Sequence, residues 1–232
     1  LLKSLFFLAN SDSAIDGGAF TFVFWSVAVE WHFYLLFPAL IWLVQKKGWG
    51  SLLVIVSIFL VIRLIAYFQD MSMREISYWS IVGRIDQFII GMLAGLFYQS
   101  KFKASASFDC LAIVGLIIIL SALYVFNQFG GGGLNNHVWI YWTTIEAGAW
   151  AVFVLGYLSI TRHYPVVISR TFIAIGTISY SIYLTHFVVL DFFMRNDFDT
   201  IISIESPLAT AATNIFLFIM PIVIVCSIFT HY

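Results

Sequence analysis

Glu30 is the residue whose position most suggests chemistry, because it is an acid inside the apolar stretch 22–44. At about 1.5 Å per residue, a helix of this length crosses a hydrocarbon core of roughly 30 Å. A carboxylate near its middle costs about 2.5–3.5 kcal/mol unless it is paired, hydrated or protonated. Ser26 lies one helical turn earlier, on the same face. Glu30 therefore either locks helices together as a protonated or hydrogen-bonded acid, or belongs to a buried reaction or transport site.

A second polar group lies in the segment 178–186. Ser179, Tyr183 and His186 are spaced i, i+4 and i+7, which places them on one stripe of a helix. A hydroxyl, a phenol and an imidazole on one face can bind a sugar hydroxyl or relay a proton. The alternative is that His186 is a hydrogen-bonded packing residue.

Arg84 and Glu146 are two further candidates for binding. Arg84 can hold an anion or a carboxylate such as Glu30, or it can extend along the apolar surface to the interface. Gly91 and Gly95 follow on the same segment and predict a face for close helix packing.

Glu146 lies among three tryptophans, Trp139, Trp142 and Trp150, near one helix face. An acid flanked by indoles can line a carbohydrate or acyl pocket. Anchoring at the membrane interface is the alternative for Trp139 and Trp142.

The composition places these residues in an all-α, polytopic membrane protein. Hydrophobic residues make up 62% of the chain and charged residues only 10%, a balance that a soluble domain cannot bury. Mean hydropathy is +0.98, and the net charge of -1 gives no reason to expect nucleic-acid binding. No metal-ligand pattern is present, so no metal site and no bound cofactor are predicted. Seven spans are predicted, at about 21–44, 51–68, 81–99, 108–126, 138–160, 171–193 and 207–230.

The loop charges predict an orientation. Alternate loops hold Lys46 with Lys47, then Lys101 with Lys103, then Arg162 with Arg170, and the positive-inside rule places this set in the cytoplasm. The first span then enters the membrane from outside.

This orientation predicts a polar cavity that opens to the outer side. Arg63, Arg84, Asp86, Glu146 and His186 all fall in the outer halves of their spans, and Glu30 falls near the midplane. The alternative is a set of separate ion pairs that hold the bundle together, for example Glu146 with Arg63.

Three stretches, in order, resemble the acyltransferase-3 family of integral-membrane O-acyltransferases. Residues 25–38 are similar to its W-S-L-x-x-E-x-x-F-Y-x-x-x-P segment. Residues 84–94 are similar to its R-x-x-x-F-x-x-G-x-x-x-A helix, and residues 178–186 to its S-Y-x-x-Y-L-x-H segment. Together the matches cover most of the chain.

The resemblance implies a single acyltransferase domain over residues 1–232, within a full protein of about ten spans. Family members move acetyl or related acyl groups onto hydroxyls of sugars and other acceptors, usually from acyl-CoA. Their first span carries a His regarded as catalytic, and this chain begins about three helices too late to include it. We therefore expect a chain truncated at its N-terminus, and at its C-terminus as well.

The resemblance also implies roles for the candidate residues. Glu30 would orient or charge-balance the family's catalytic imidazole. Trp25 and Ser26 would shape the pocket. Arg84, Tyr183 and His186 would contact the acceptor or the acyl group.

The sequence thus predicts a transferase of acyl groups other than amino-acyl groups, in the bacterial inner membrane. Its expected partners are the lipid bilayer, acyl-CoA (acetyl-CoA above all) as donor, and a glycan or other envelope hydroxyl as acceptor. A secondary transporter or proton-coupled carrier with a buried Glu/Arg/His site is the alternative. A third possibility is a scaffold or sensor whose polar residues only hold helices together.

The orientation can be tested directly. Cysteines introduced as Lys47→Cys and Gly132→Cys are expected to react with an impermeant maleimide from opposite sides of the membrane. Labelling of both positions from one side would contradict the orientation and the outward-facing cavity.

Overall fold

The computed structural model describes residues 21–101, 108–131, 136–161, 163–196, 202 and 206–231. Lys103 and Arg162, two of the predicted cytoplasmic cations, lie outside the described residues. The helices are α1 (Thr21–Lys47), α2 (Gly50–Phe68), α3 (Met73–Trp79), α4 (Ile81–Lys101), α5 (Cys110–Gln128), α6 (Trp139–Thr161), α7 (Val166–Arg195), α8 (Pro207–Asn214) and α9 (Met220–His231), with a π-helical segment over Ile215–Ile219.

Seven stretches of the described chain are helical, long enough and apolar enough to cross a membrane. No strand occurs within the described ranges. The prediction of an all-α polytopic protein with about seven spans is therefore confirmed. The stretches are Trp25–Lys47, Gly50–Phe68, Ile81–Ser100, Cys110–Gln128, Trp139–Thr161, Val166–Arg195 and Ala209–Thr230.

Contacts divide the chain into two compact units. The first unit comprises residues 1–27 and 165–232, and the second comprises residues 28–164. α1 thus contributes its residues through Val27 to the first unit and the rest to the second.

In the first unit, α7 packs on α9. Thr185 and Ser227 join the two helices through a hydrogen bond of 2.9 Å between their hydroxyls. The π-helical segment ends just before Pro221. Met220 donates its N–H to the carbonyl of Ile215, five residues back, and Pro221 has no N–H to offer the regular ladder.

In the second unit, the closest helix approach is between α5 and α6. A Cβ added at Gly156 would lie 1.9 Å from the backbone nitrogen of Ala112, and one added at Gly115 would lie 2.5 Å from Cα of Phe153. Within the described part of the chain, the predicted close-packing face at Gly91 and Gly95 makes no such contact, since a Cβ at either would meet no described atom within 4 Å. Their small size leaves open space beside α4.

An ion pair lies at the centre of the second unit. Nη2 of Arg63 on α2 lies 2.7 Å from Oδ2 of Asp86 on α4, and both side chains are fully buried. Thr143 and Thr144 on α6 donate their hydroxyls to the same carboxylate oxygen. The guanidinium of Arg63 also donates to both threonine hydroxyls. Three membrane-spanning helices therefore meet at one charged group.

This arrangement corrects the ion pair suggested from the sequence. Arg63 binds Asp86, whereas Glu146 lies beside Arg84. A buried charge that lost its partner would be strongly unfavourable, because burial removes the hydration that the ion had in water. The pairing in the structure leaves neither Arg63 nor Asp86 without an opposite charge.

The short helix α3 holds the start of α4 in place. Ser72 caps α3 by accepting the N–H of Glu75 at 3.4 Å. Ser77 donates its hydroxyl to the carbonyl of Trp139 at 2.9 Å, which ties α3 to α6. A Cβ at Gly83 would lie 2.3 Å from the backbone of Ser77, so only glycine permits this contact. The next residue along α4 is Arg84.

Candidate functional site

Arg84, Gln87 and Glu146 form a polar group between α4 and α6. Nη1 of Arg84 donates to Oε1 of Gln87 at 3.0 Å, one helical turn away. The amide nitrogen of Gln87 donates to Oε2 of Glu146 at 2.9 Å. The same carboxylate oxygen lies 3.9 Å from Nη1 of Arg84. Gln87 thus bridges a cation and an anion and fixes their separation.

α3 determines where the Arg84 guanidinium lies. Nε of Arg84 donates to the carbonyl of Tyr78 at 3.2 Å, and Cζ lies 4.9 Å from the centre of the Tyr78 ring. Only 17% of the Arg84 side chain is exposed. Arg84 is therefore held against α3 and beside Glu146, rather than extended along an apolar surface.

A cavity of about 460 Å³ begins at Gln87 and Glu146 and continues between α4 and α6. Its volume is within the range of small-molecule sites. Beyond the polar end its lining is apolar apart from Tyr98. α4 contributes Gly91, Ala94, Gly95 and Tyr98, and α6 contributes Ala147, Trp150, Ala151, Val154, Leu155 and Leu158.

The sequence predicted a pocket in which tryptophan side chains flank Glu146, and one of the three tryptophans lines the cavity. Trp150 lines it together with Glu146. Trp139 and Trp142 are instead buried, and the ring of Trp142 stacks on Phe126 with centroids 3.9 Å apart. These two indoles pack in the interior of the second unit, so neither the pocket role nor the interfacial role predicted for them applies.

Ser26 and Tyr183 meet in the first unit. Their hydroxyls are hydrogen-bonded to each other, which joins α1 to α7. Trp25 precedes Ser26 on α1 and is half-buried. The two residues are 157 apart in the chain, Ser26 next to Trp25 and Tyr183 one turn before His186.

His186 lies one turn beyond Tyr183, with the two ring centroids 5.6 Å apart. Its Nδ1 is 3.2 Å from the carbonyl oxygen of Ile182. A carbonyl only accepts, so in the neutral imidazole the hydrogen is on Nδ1 and Nε2 has a free lone pair. Ser179 is exposed and donates to the carbonyl of Gly176 at 2.7 Å. Of the predicted stripe, Tyr183 and His186 thus lie side by side, whereas Ser179 is bonded to its own helix.

Glu30 is exposed on the second unit, and the phenol of Tyr34 donates to its Oε2 at 3.4 Å. Glu30 and His186 belong to different units. The prediction that they face one cavity therefore stays a prediction. Within the described ranges, no cluster of His, Cys, Asp or Glu has the composition of a metal site.

Sequence reasoning missed Gln87, although it lies three residues after Arg84 and so on the same helix face. It also missed Thr143 and Thr144. Threonine is ordinary in a membrane helix, so the only available signal was the position of both residues within one turn of Glu146.

The comparisons with known proteins give one match. A family model described as an acyltransferase domain matches residues 4–232, nearly the whole chain. Neither the curated proteins nor the solved structures give a match. With seven helices able to span a membrane and this family match, the chain belongs to the acyltransferase-3 family of membrane acyltransferases.

Proposed function

We propose that the protein transfers an acetyl or similar acyl group from acyl-CoA to a hydroxyl of a carbohydrate or other envelope acceptor, on the outer side of the bacterial inner membrane. The observation that carries the proposal is the hydrogen bond between Ser26 and Tyr183, with His186 beside it. Ser26 and Tyr183 belong to two of the three segments that resemble the family. Family membership supports acyl transfer itself.

The reaction requires a base and a means to stabilise negative charge. The acceptor oxygen attacks the thioester carbonyl, the C–S bond breaks, and the hydroxyl proton ends on the thiol of CoA. In our proposal the family's first-span His is the principal base. His186 uses the lone pair on Nε2 to bind and polarise the acceptor hydroxyl. Tyr183 and Ser26 position that hydroxyl, and Trp25 shapes the pocket beside them.

Glu30 has a supporting electrostatic role in this proposal. An imidazole that accepts a proton becomes a cation, and a nearby carboxylate favours that charged state. Glu30 is the proposed carboxylate. Arg84 and Glu146, which Gln87 keeps in a fixed arrangement, are the proposed substrate-binding residues of the second unit.

The proposal is tested with full-length protein reconstituted in vesicles and given radiolabelled acetyl-CoA and a mixture of envelope glycans. Label in a hydroxyl ester of the glycan supports transfer. Uptake of glycan into the vesicles without ester formation would instead identify a carrier. If neither ester formation nor uptake is observed, the interpretation of the protein as a scaffold or sensor remains.

Glu30→Gln is expected to abolish acyl transfer in the full-length protein while leaving its Tm unchanged. Glutamine keeps the size of the side chain but loses the charge that would balance an imidazolium. Glu75→Gln is the control, because Glu75 is an exposed acid on α3. Transfer by Glu30→Gln at the rate of the control would make Glu30 a packing residue.

His186→Ala is expected to lower kcat for transfer by about tenfold or more, as removal of a group that polarises a hydroxyl does. The KM for acyl-CoA should change little, because His186 contacts the acceptor in this account. His137→Ala, at an exposed histidine, is the matched control. If kcat is unchanged in His186→Ala, His186 does not take part in the site and has only a packing role.

A further inference from the structure

The cavity between α4 and α6 follows both helices from one polar end, and we call it the channel. Gln87 and Tyr98 lie at opposite ends of its α4 wall, about 16 Å apart along the axis at 1.5 Å per residue. Between them the wall consists of Gly91, Ala94 and Gly95, and the facing wall on α6 is apolar. Such a space is long enough for a linear hydrocarbon chain.

The channel is open because α4 has glycine where larger residues would fit. A Cβ at Gly91 or Gly95 would meet no described atom within 4 Å, so packing among the described helices does not require glycine at either position. Glycine also destabilises a helix interior relative to alanine. Both glycines therefore weaken α4 without a compensating contact among the described residues. What they provide instead is the open space of the channel.

The polar end favours a neutral head group that donates hydrogen bonds. The described contacts of Glu146 with Gln87 and Arg84 both involve Oε2, so Oε1 can accept another hydrogen bond. Among the described side chains at this end, Arg84 offsets the charge of Glu146, which leaves no excess charge there to attract an ion. A hydroxyl can donate to Oε1, whereas a thioester has no hydrogen to donate.

We propose that this channel binds the apolar chain of an amphiphilic acceptor, with a hydroxyl of its head group on Glu146. The inference rests on the proposed function and narrows its acceptor class to a hydroxyl-bearing head on a linear hydrocarbon. A chain gains little by leaving lipid for an apolar channel, because lipid tails are equally apolar. The head group must therefore determine which molecules bind, and the hydrocarbon chain aligns the bound molecule along the channel.

The test uses full-length protein in phosphatidylcholine nanodiscs, with Cys110 and Cys226 replaced by alanine and Ala151→Cys introduced into the channel wall. The rate of maleimide labelling at position 151 is measured with decyl β-glucoside, with glucose, or with decane. Decyl glucoside is expected to slow labelling about tenfold at about ten times its Kd, because the free fraction of the protein is 1/(1 + [L]/Kd). Glucose and decane are expected to have little effect.

Gly91→Leu is expected to abolish the protection by decyl glucoside, because the leucine side chain fills the channel. Gly148→Leu is the matched control, since Gly148 is a helical glycine on α6 with no described atom within 4 Å of an added Cβ and does not line the channel. Protection that persists in Gly91→Leu, or that decane gives equally well, would overturn the inference.

The labelling experiment needs no acyl-CoA, so its outcome is separate from that of the transfer assay. Transfer without protection would overturn the channel and leave the proposed function standing. Protection without transfer would support the channel as an amphiphile site and contradict the enzyme that it is proposed to serve.

Discussion

The ion pair of Arg63 with Asp86 is the interaction on which the second unit depends. Both side chains are fully buried, and the pair joins α2 to α4 while Thr143 and Thr144 bring in α6. Removing two charges from water is costly, and the close contact and the hydrogen bonds from both terminal guanidinium nitrogens offset that cost, whereas the buried Nε of Arg63 has no partner among the described residues. Small shifts of any of the three helices would break these bonds, so the pair fixes how the helices are aligned along their axes.

The candidate site follows from that alignment. Asp86 immediately precedes Gln87 on α4, and Thr143 lies one turn before Glu146 on α6. Fixing Asp86 against Thr143 therefore places Gln87 opposite Glu146, at the 2.9 Å separation seen between their side chains. The channel begins at this point and follows the two helices toward Tyr98. In the first unit the hydrogen bond between Ser26 and Tyr183 links the start of α1 to α7, one turn before His186.

The sequence predicted the parts of the fold that depend on composition and on spacing within one helix. The spans followed from hydropathy, and the proximity of Tyr183 to His186 followed from helical periodicity. Partners between helices were not predictable, because Arg63 could have met either acid until the helix positions were known. The roles of the glycines were also not predictable. Gly91 and Gly95 have the spacing of a packing face, yet Gly115 and Gly156 make the close contacts.

A double-mutant cycle on Arg63 and Asp86 tests the central claim most directly, with the free energy of unfolding measured in mixed micelles and transfer measured in vesicles. Arg63→Met or Asp86→Leu alone is expected to cost about 3–5 kcal/mol, because each leaves one buried charge without a partner. The double variant is expected to be more stable than either single variant and to retain acyl transfer, because two apolar side chains can hold the same alignment. A double variant that loses the sum of the single costs, or that folds stably without transfer, would contradict the account.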